Sequence, residues 1–146
     1  ETWNRRLDSA SQVVRWWGAM AVPRARLLLI DDDPDVRESL RRMLAREHEV
    51  VAVSSAQGGL AALEQGAFDL VVCDLVMPGQ SGVAFVEEAG RRWPELQGRL
   101  VLMTGAVLAP ERAGLFAELG VGFIQKPIVP RELEQILRTQ LPAKPV

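Results

Sequence analysis

Four short apolar runs, each closed by a polar or charged residue, constrain this chain more than any other feature it has. Arg26–Ile30 (RLLLI) runs into Asp31, Asp32, Asp33 and Pro34; Leu70–Cys73 ends at Asp74, Leu100–Met103 at Thr104, and Gly122–Gln125 at Lys126, just before Pro127. Runs this short, and apolar on both faces, read as strands buried in a parallel sheet. Asp74 is the hardest to account for, because a carboxylate at the end of a buried strand needs a cation, a hydrogen-bond shell or a path to solvent. In a parallel sheet the carboxyl ends lie along one edge, and ligands of open α/β sheets bind outside that edge. Two carboxylate groups, a hydroxyl and an ammonium converging there suit a hard divalent cation and a phosphoryl group.

Helices fill the intervals. Asp33 stands at an N-cap position with Pro34 first in the helix and Asp35 and Glu38 in its first turn, predicting a helix from Pro34 to Ala45. Val36, Leu40, Met43 and Leu44 form its buried stripe, and Arg37, Arg41 and Arg42 are expected to face water. Glu49–Val53 reads as the second strand and Ala56 to Gln65 as a helix, with further helices expected at Val83 to Trp93, Pro110 to Leu119 and Pro130 to Leu141. The fourth strand is expected at Arg99 to Met103. Asp74 and Thr104 lie 30 residues apart, and Thr104 and Lys126 lie 22 apart, each interval long enough for one helix. Five strand and helix pairs without an internal repeat predict an α/β fold with a doubly wound, five-stranded parallel sheet.

The ordered set IDDDP (Ile30–Pro34), DLVMPG (Asp74–Gly79), MTG (Met103–Gly105) and QKP (Gln125–Pro127) resembles the receiver domain of two-component response regulators, over Ala25 to about Leu141. Any one piece is weak; the combination in order is specific. The resemblance implies a flavodoxin-like (βα)5 fold with strand order 2-1-3-4-5. It implies that Asp74 is the phosphoacceptor, taking a phosphoryl group from a histidine kinase or histidine phosphotransfer domain, with Lys126 and Thr104 as the other catalytic side chains. Mg2+ is the implied cofactor: Asp32 and Asp74 would ligate it, Val76 would add its backbone carbonyl, and Asp31 would hold a metal-bound water. Thr104, Gly105 and Lys126 would bind phosphate, Thr104 and Phe123 would form the switch, and the Lys126–Pro127 bond is expected to be cis. Phe123 stands where the family often has Tyr, so its ring gains no hydroxyl hydrogen bond. Val76 and Ala106 are apolar at positions that tune dephosphorylation, which implies a long-lived phosphoryl group. The signal would pass by population shift to the face of the fourth helix, fifth strand and fifth helix, also a possible homodimer face. The stretch from Met103 to Phe116 is similar to C-terminal receivers of hybrid histidine kinases.

Composition sets the outer bounds. With 146 residues, 48% of them hydrophobic, the chain has material for one core. Charge is uneven: five Arg against Glu1 and Asp8 in the first 26 residues leave the rest at −5 of an overall −2. That acidic body suits a cation site and gives no reason to expect nucleic-acid binding. The single cysteine, Cys73, excludes an internal disulfide framework, fits a reducing cytoplasm and reads as small apolar packing. No apolar run approaches the length of a membrane span. His48, the only histidine, is expected on a surface loop.

Residues 25–146 are therefore expected to form the receiver, and 1–24 a helical extension or linker. Trp3, Leu7, Ala10, Val14, Trp17 and Ala21 make an apolar helical stripe. Three origins stay open: a linker or dimerisation helix, a helix folded back on the domain, or a segment foreign to the natural chain with Met20 its start. The stretch after Leu141 is too short for an output domain, so a stand-alone regulator or a piece of a larger protein is expected. The chain is not expected to be an enzyme beyond its own phosphorylation and dephosphorylation. Two rivals remain. A haloacid dehalogenase-type aspartate phosphatase also begins with an acid pair after an apolar strand, mimicked by Asp31 and Asp33, but Asp35 stands where that family prefers Thr or Val. A degenerate receiver would serve only as a docking module and fail to bind magnesium.

Overall fold

The computed structural model describes residues 24–105 and 109–140. The expected helix over residues 1–22 and the position of Ala106 lie outside the described residues. Five strands, β1 (Arg26–Ile30), β2 (Glu49–Val53), β3 (Leu70–Asp74), β4 (Leu100–Thr104) and β5 (Val121–Gln125), alternate with α1 (Pro34–Ala45), α2 (Ala56–Gln65), α3 (Gly82–Arg92), α4 (Pro110–Glu118) and α5 (Pro130–Gln140). The sheet is wholly parallel in the order β2-β1-β3-β4-β5. This is the flavodoxin-like order expected from the motifs.

The strands are apolar on both faces because both faces are covered. Leu28, Ile30, Val71, Cys73 and Leu102 pack toward Leu63 of α2, Phe85, Val86 and Ala89 of α3, and Phe116 of α4. Leu27, Leu29, Val72, Val101 and Met103 pack on the other side against Leu40 and Leu44 of α1 and Leu133 and Leu137 of α5. Cys73 sits inside the first layer without exposure, and burial pushes its thiol up, away from thiolate reactivity.

Pairing of β1 with β3 aligns Ile30 with Cys73, so Asp31 and Asp74 leave the sheet side by side. On the other flank β3 pairs with β4, and β4 pairs Thr104 with Gln125, so Thr104 and Lys126 leave beside them. Three helix starts carry side-chain caps that fix where the loops end: Asp33 accepts from the Asp35 and Val36 N–H groups, Ser55 from Gly58, and Ser81 from Ala84.

Several boundaries differ from the sequence expectation, and α4 ends at Glu118, one residue early. α3 begins at Gly82 instead of Val83 and ends at Arg92, because Trp93 leads into a 3-10 turn over Pro94–Leu96. β4 begins at Leu100, one residue late, and includes Thr104; β5 begins at Val121, one residue early. His48 is a correction. It is 4% exposed, and its Nδ1 accepts the Ala25 N–H at 3.1 Å, tying the residue before β2 to the residue before β1. That hydrogen bond is internal, a pairing that a local charge pattern does not reveal.

Candidate functional site

Asp31 is the most constrained residue of the site. It is fully buried, and each polar group it owns is engaged. Its N–H donates to the Val53 carbonyl at 3.1 Å, and its own carbonyl accepts from Arg37 Nη1 at 2.7 Å. Oδ1 accepts the Asp33 N–H at 2.9 Å and Oδ2 accepts from Lys126 Nζ at 3.0 Å. A buried carboxylate is tolerated on these terms, with a cation and a backbone donor in place of water.

Lys126 spans the site. Its ammonium also donates to Asp74 Oδ2 at 3.2 Å, and its backbone N–H donates to the Thr104 carbonyl at 2.7 Å. The Lys126–Pro127 bond is cis, as expected. Burial alone would pull the ammonium down, but the hydrogen bonds and charges of Asp31 and Asp74 outweigh it and hold Lys126 above its ordinary range. Asp74 moves up: burial leads, the Asp31 charge adds to it, and Lys126 with the Val76 N–H, 3.4 Å from Oδ1, opposes.

Asp32 completes the group. One carboxylate oxygen each from Asp31, Asp32 and Asp74 lie within 4.8 Å of one another, with Asp32 exposed and the other two buried. All three donors are oxygen, and one opens to solvent, which fits a hard cation that keeps part of its water. Thr104 is buried at the next strand end. Gly105 is exposed, and a Cβ built on it would meet no atom within 4 Å, so any need for glycine there comes from what enters the site. Beside Gly105 and Lys126 a cleft of about 520 Å³ opens between Val36, Ser39 and Leu40 of α1 and Pro127 and Ile128 of the following loop. Asp33 is a cap, as its place before Pro34 predicts, and Asp35 lines the cleft.

The remaining candidates lie around this centre. Val76 projects its side chain outward at 75% exposure. Phe123 is 42% exposed on β5, its ring centroid 6.5 Å from that of Phe116. Two residues of the site escape sequence reasoning. Arg37, which the helical stripe places toward water, is half-buried and reaches back to the Asp31 carbonyl. The available signal is a cation as the fourth residue of a helix, where the helix field disfavours it. Gly82 reads as loop in the sequence; its N–H donates to the Leu75 carbonyl at 2.9 Å, and a Cβ there would collide with the Asp74 carbonyl oxygen. Only glycine lets α3 start against the strand end that carries Asp74.

Comparison with known proteins identifies the family. Residues 27–138 match the response regulator receiver domain. The chain belongs to that family. This receiver is 32% identical to the hydrogenase transcriptional regulatory protein HoxA of Cupriavidus necator over 126 residues, covering 86% of the chain and 26% of that protein. It is 34% identical to the sensor protein GacS of Pseudomonas syringae over 120 residues, covering 77% of the chain and 13% of GacS. The chain thus spans a minor part of either relative. Among solved structures, a CheY-like receiver domain protein from Methanospirillum hungatei superposes with a TM-score of 0.69 at 29% identity, over 80% of this chain and 96% of that one. A receiver domain protein from Clostridium thermocellum gives 0.71 at 24% identity, over 80% and 94%, a likeness of fold. None of the helices among the described residues is long and apolar enough to cross a membrane.

Proposed function

We propose that this receiver is a working phosphoacceptor in which Asp74 takes a phosphoryl group from a phosphohistidine on a histidine kinase or a histidine phosphotransfer domain. The observation that supports this most is the meeting of three carboxylates with the Lys126 ammonium at the carboxyl edge of the sheet. A carboxylate oxygen of Asp74 attacks phosphorus, the P–N bond to the donor imidazole breaks, and an acyl phosphate is left on Asp74. The protein contributes placement and charge: Lys126, the Thr104 hydroxyl and the Gly105 N–H would hold the transferred oxygens.

Magnesium is the cofactor this oxygen-only set suits. Asp32, Asp74 and the Val76 carbonyl would hold it, with Asp31 orienting its water, and once bound it neutralises charge on the phosphoryl group. Output would follow from Thr104 drawing toward the phosphoryl group while Phe123 and the α4, β5 and α5 face repack. Homodimerisation through that face or through the N-terminal helix belongs to the same reading. So do a division into residues 1–24 as linker and 25–146 as receiver, a cytoplasmic location, and an origin in a hybrid kinase. The chain would act on no substrate but itself. Val76 and Ala106 are apolar residues unable to activate a hydrolytic water through their side chains, so the acyl phosphate should be long-lived, and its loss within seconds in a purified sample would contradict that.

Incubation with acetyl phosphate and magnesium, followed by intact mass, tests the core of this. The expected result is a gain of one phosphoryl group that Asp74→Ala abolishes. No gain in the wild type, with no magnesium binding, would make the chain a docking module. Turnover of p-nitrophenyl phosphate would favour the aspartate phosphatase instead.

A further inference from the structure

We infer that Arg37 is a positioning residue for the metal site, setting the peptide unit that joins its two neighbouring acidic residues. The Asp31 carbonyl belongs to the Asp31–Asp32 peptide, so its direction fixes the backbone from which the Asp32 carboxylate projects. Arg37 Nη1 grips that carbonyl at 2.7 Å from the first turns of α1. Asp31 has three further anchors, but among the described residues no hydrogen bond or ion pair holds the Asp32 carboxylate itself. Asp32 is also the exposed member of the cluster. Its aim therefore depends on its backbone, which Arg37 holds at the Asp31–Asp32 peptide while Asp31 Oδ1 holds the Asp33 N–H of the next one.

The placement of Arg37 is unfavourable on local grounds. A cation as the fourth residue of a helix opposes the helix field, and its charge competes with any cation entering the Asp31, Asp32 and Asp74 cluster. Both effects predict that losing Arg37 should help metal binding. Positioning predicts the reverse. Outer partners that orient ligands typically carry about 10- to 100-fold in metal affinity. The two roles thus differ in sign.

Because the inference rests on the magnesium site proposed above, the experiment reads the loop and the metal separately. Magnesium affinity is measured by calorimetry on unphosphorylated wild type, Arg37→Met and Arg42→Met, the last removing a similar charge further along α1 without touching the loop. Arg37→Met should bind magnesium about tenfold more weakly, and Arg42→Met should match the wild type. Affinity equal to or above wild type in Arg37→Met, or an equal loss in both variants, overturns the proposal. Amide nitrogen shifts are recorded in the metal-free proteins as well. Arg37→Met should move Asp32 and Asp33 while leaving β4 in place, and unmoved loop amides would overturn the proposal. This second reading holds even if the wild type binds no magnesium, the outcome that would sink the functional reading alone.

Discussion

Replacing Lys126 by methionine removes the cation shared by Asp31 and Asp74 while keeping most of its apolar stem. At 3.0 Å and 3.2 Å each pair attracts by about 5 kcal/mol at an effective dielectric of 20. Desolvation of three groups offsets most of that, and breaking a buried pair typically costs about 3–5 kcal/mol. The Asp31 side chain has no exposure, whereas Lys126 keeps 21% and Asp74 10%, so solvent softens part of the loss. We expect the low end, about 3 kcal/mol at neutral pH, or about 10 °C in Tm for a domain of this size.

The sign of the pH dependence separates this cause from simple loss of packing. Without Lys126 the Asp74 carboxylate, which burial and the Asp31 charge already push up, binds its proton more tightly in the folded state than in the unfolded one, where an Asp titrates near 3.9. Over that interval the folded state holds more protons, so stability falls as pH rises and the deficit is greatest at neutral pH. It should shrink toward pH 5. Magnesium should narrow it too: a ligand at ten times its Kd adds about 1.4 kcal/mol, and the variant gains more than the wild type because no ammonium competes. Urea unfolding at both pH values, with EDTA or magnesium, gives all four numbers. A Lys126→Met variant within about 0.5 kcal/mol of wild type at neutral pH, or a gap indifferent to pH, would refute the reasoning.

Two other substitutions test the scaffold. Gly82→Ala drives a Cβ into the Asp74 carbonyl oxygen and to 2.9 Å from Leu75 Cα, contacts with backbone that no rotamer change relieves. It should cost about 3 kcal/mol, the upper end for overpacking, and an unchanged urea midpoint would contradict the close approach. At His48 burial lowers the imidazole, with Arg24 reinforcing that and Glu47 and Glu134 of α5 opposing. The unfolded chain takes up this proton near pH 6.5 and the folded chain only below that, so stability present above about 6.5 is lost on acidification. The stability gap between wild type and His48→Gln should therefore narrow from about pH 7.5 to 5.5; parallel pH profiles would remove His48 as the cause.

Legibility in the sequence tracks whether a residue's role is local or distant. Strand ends are readable because burial demands apolar residues and each run stops at a polar one; α1 is readable because Asp33 and Pro34 announce a cap. The convergence of Asp31, Asp74, Thr104 and Lys126 follows from parallel strands sharing an edge, with the order of strands carried by resemblance. The features that escape are those whose partner lies across a gap in sequence and is a backbone atom. Arg37 answers the Asp31 carbonyl, His48 the Ala25 N–H, and Gly82 the Asp74 carbonyl. Backbone groups are present at every position, so no residue type advertises them.

Those unannounced contacts cluster at the site. Arg37 near the start of α1 grips the peptide after β1, and Gly82 at the start of α3 abuts the carbonyl at the end of β3. Both carboxylate-bearing loops are thus held from outside by the opening turns of helices, while Lys126 holds two of the carboxylates from within. The cluster carries three negative charges within 4.8 Å, an arrangement that repels itself and would relax apart on a mobile loop. Holding it closed requires stiffness on both sides, and the two flanking helices supply it because their cores, Leu40 and Leu44 on one face and Phe85 and Ala89 on the other, are locked into opposite layers of the sheet. The electrostatic strain that favours a cation among these carboxylates is therefore maintained by packing on the two faces of the fold, not by the charged residues that display it.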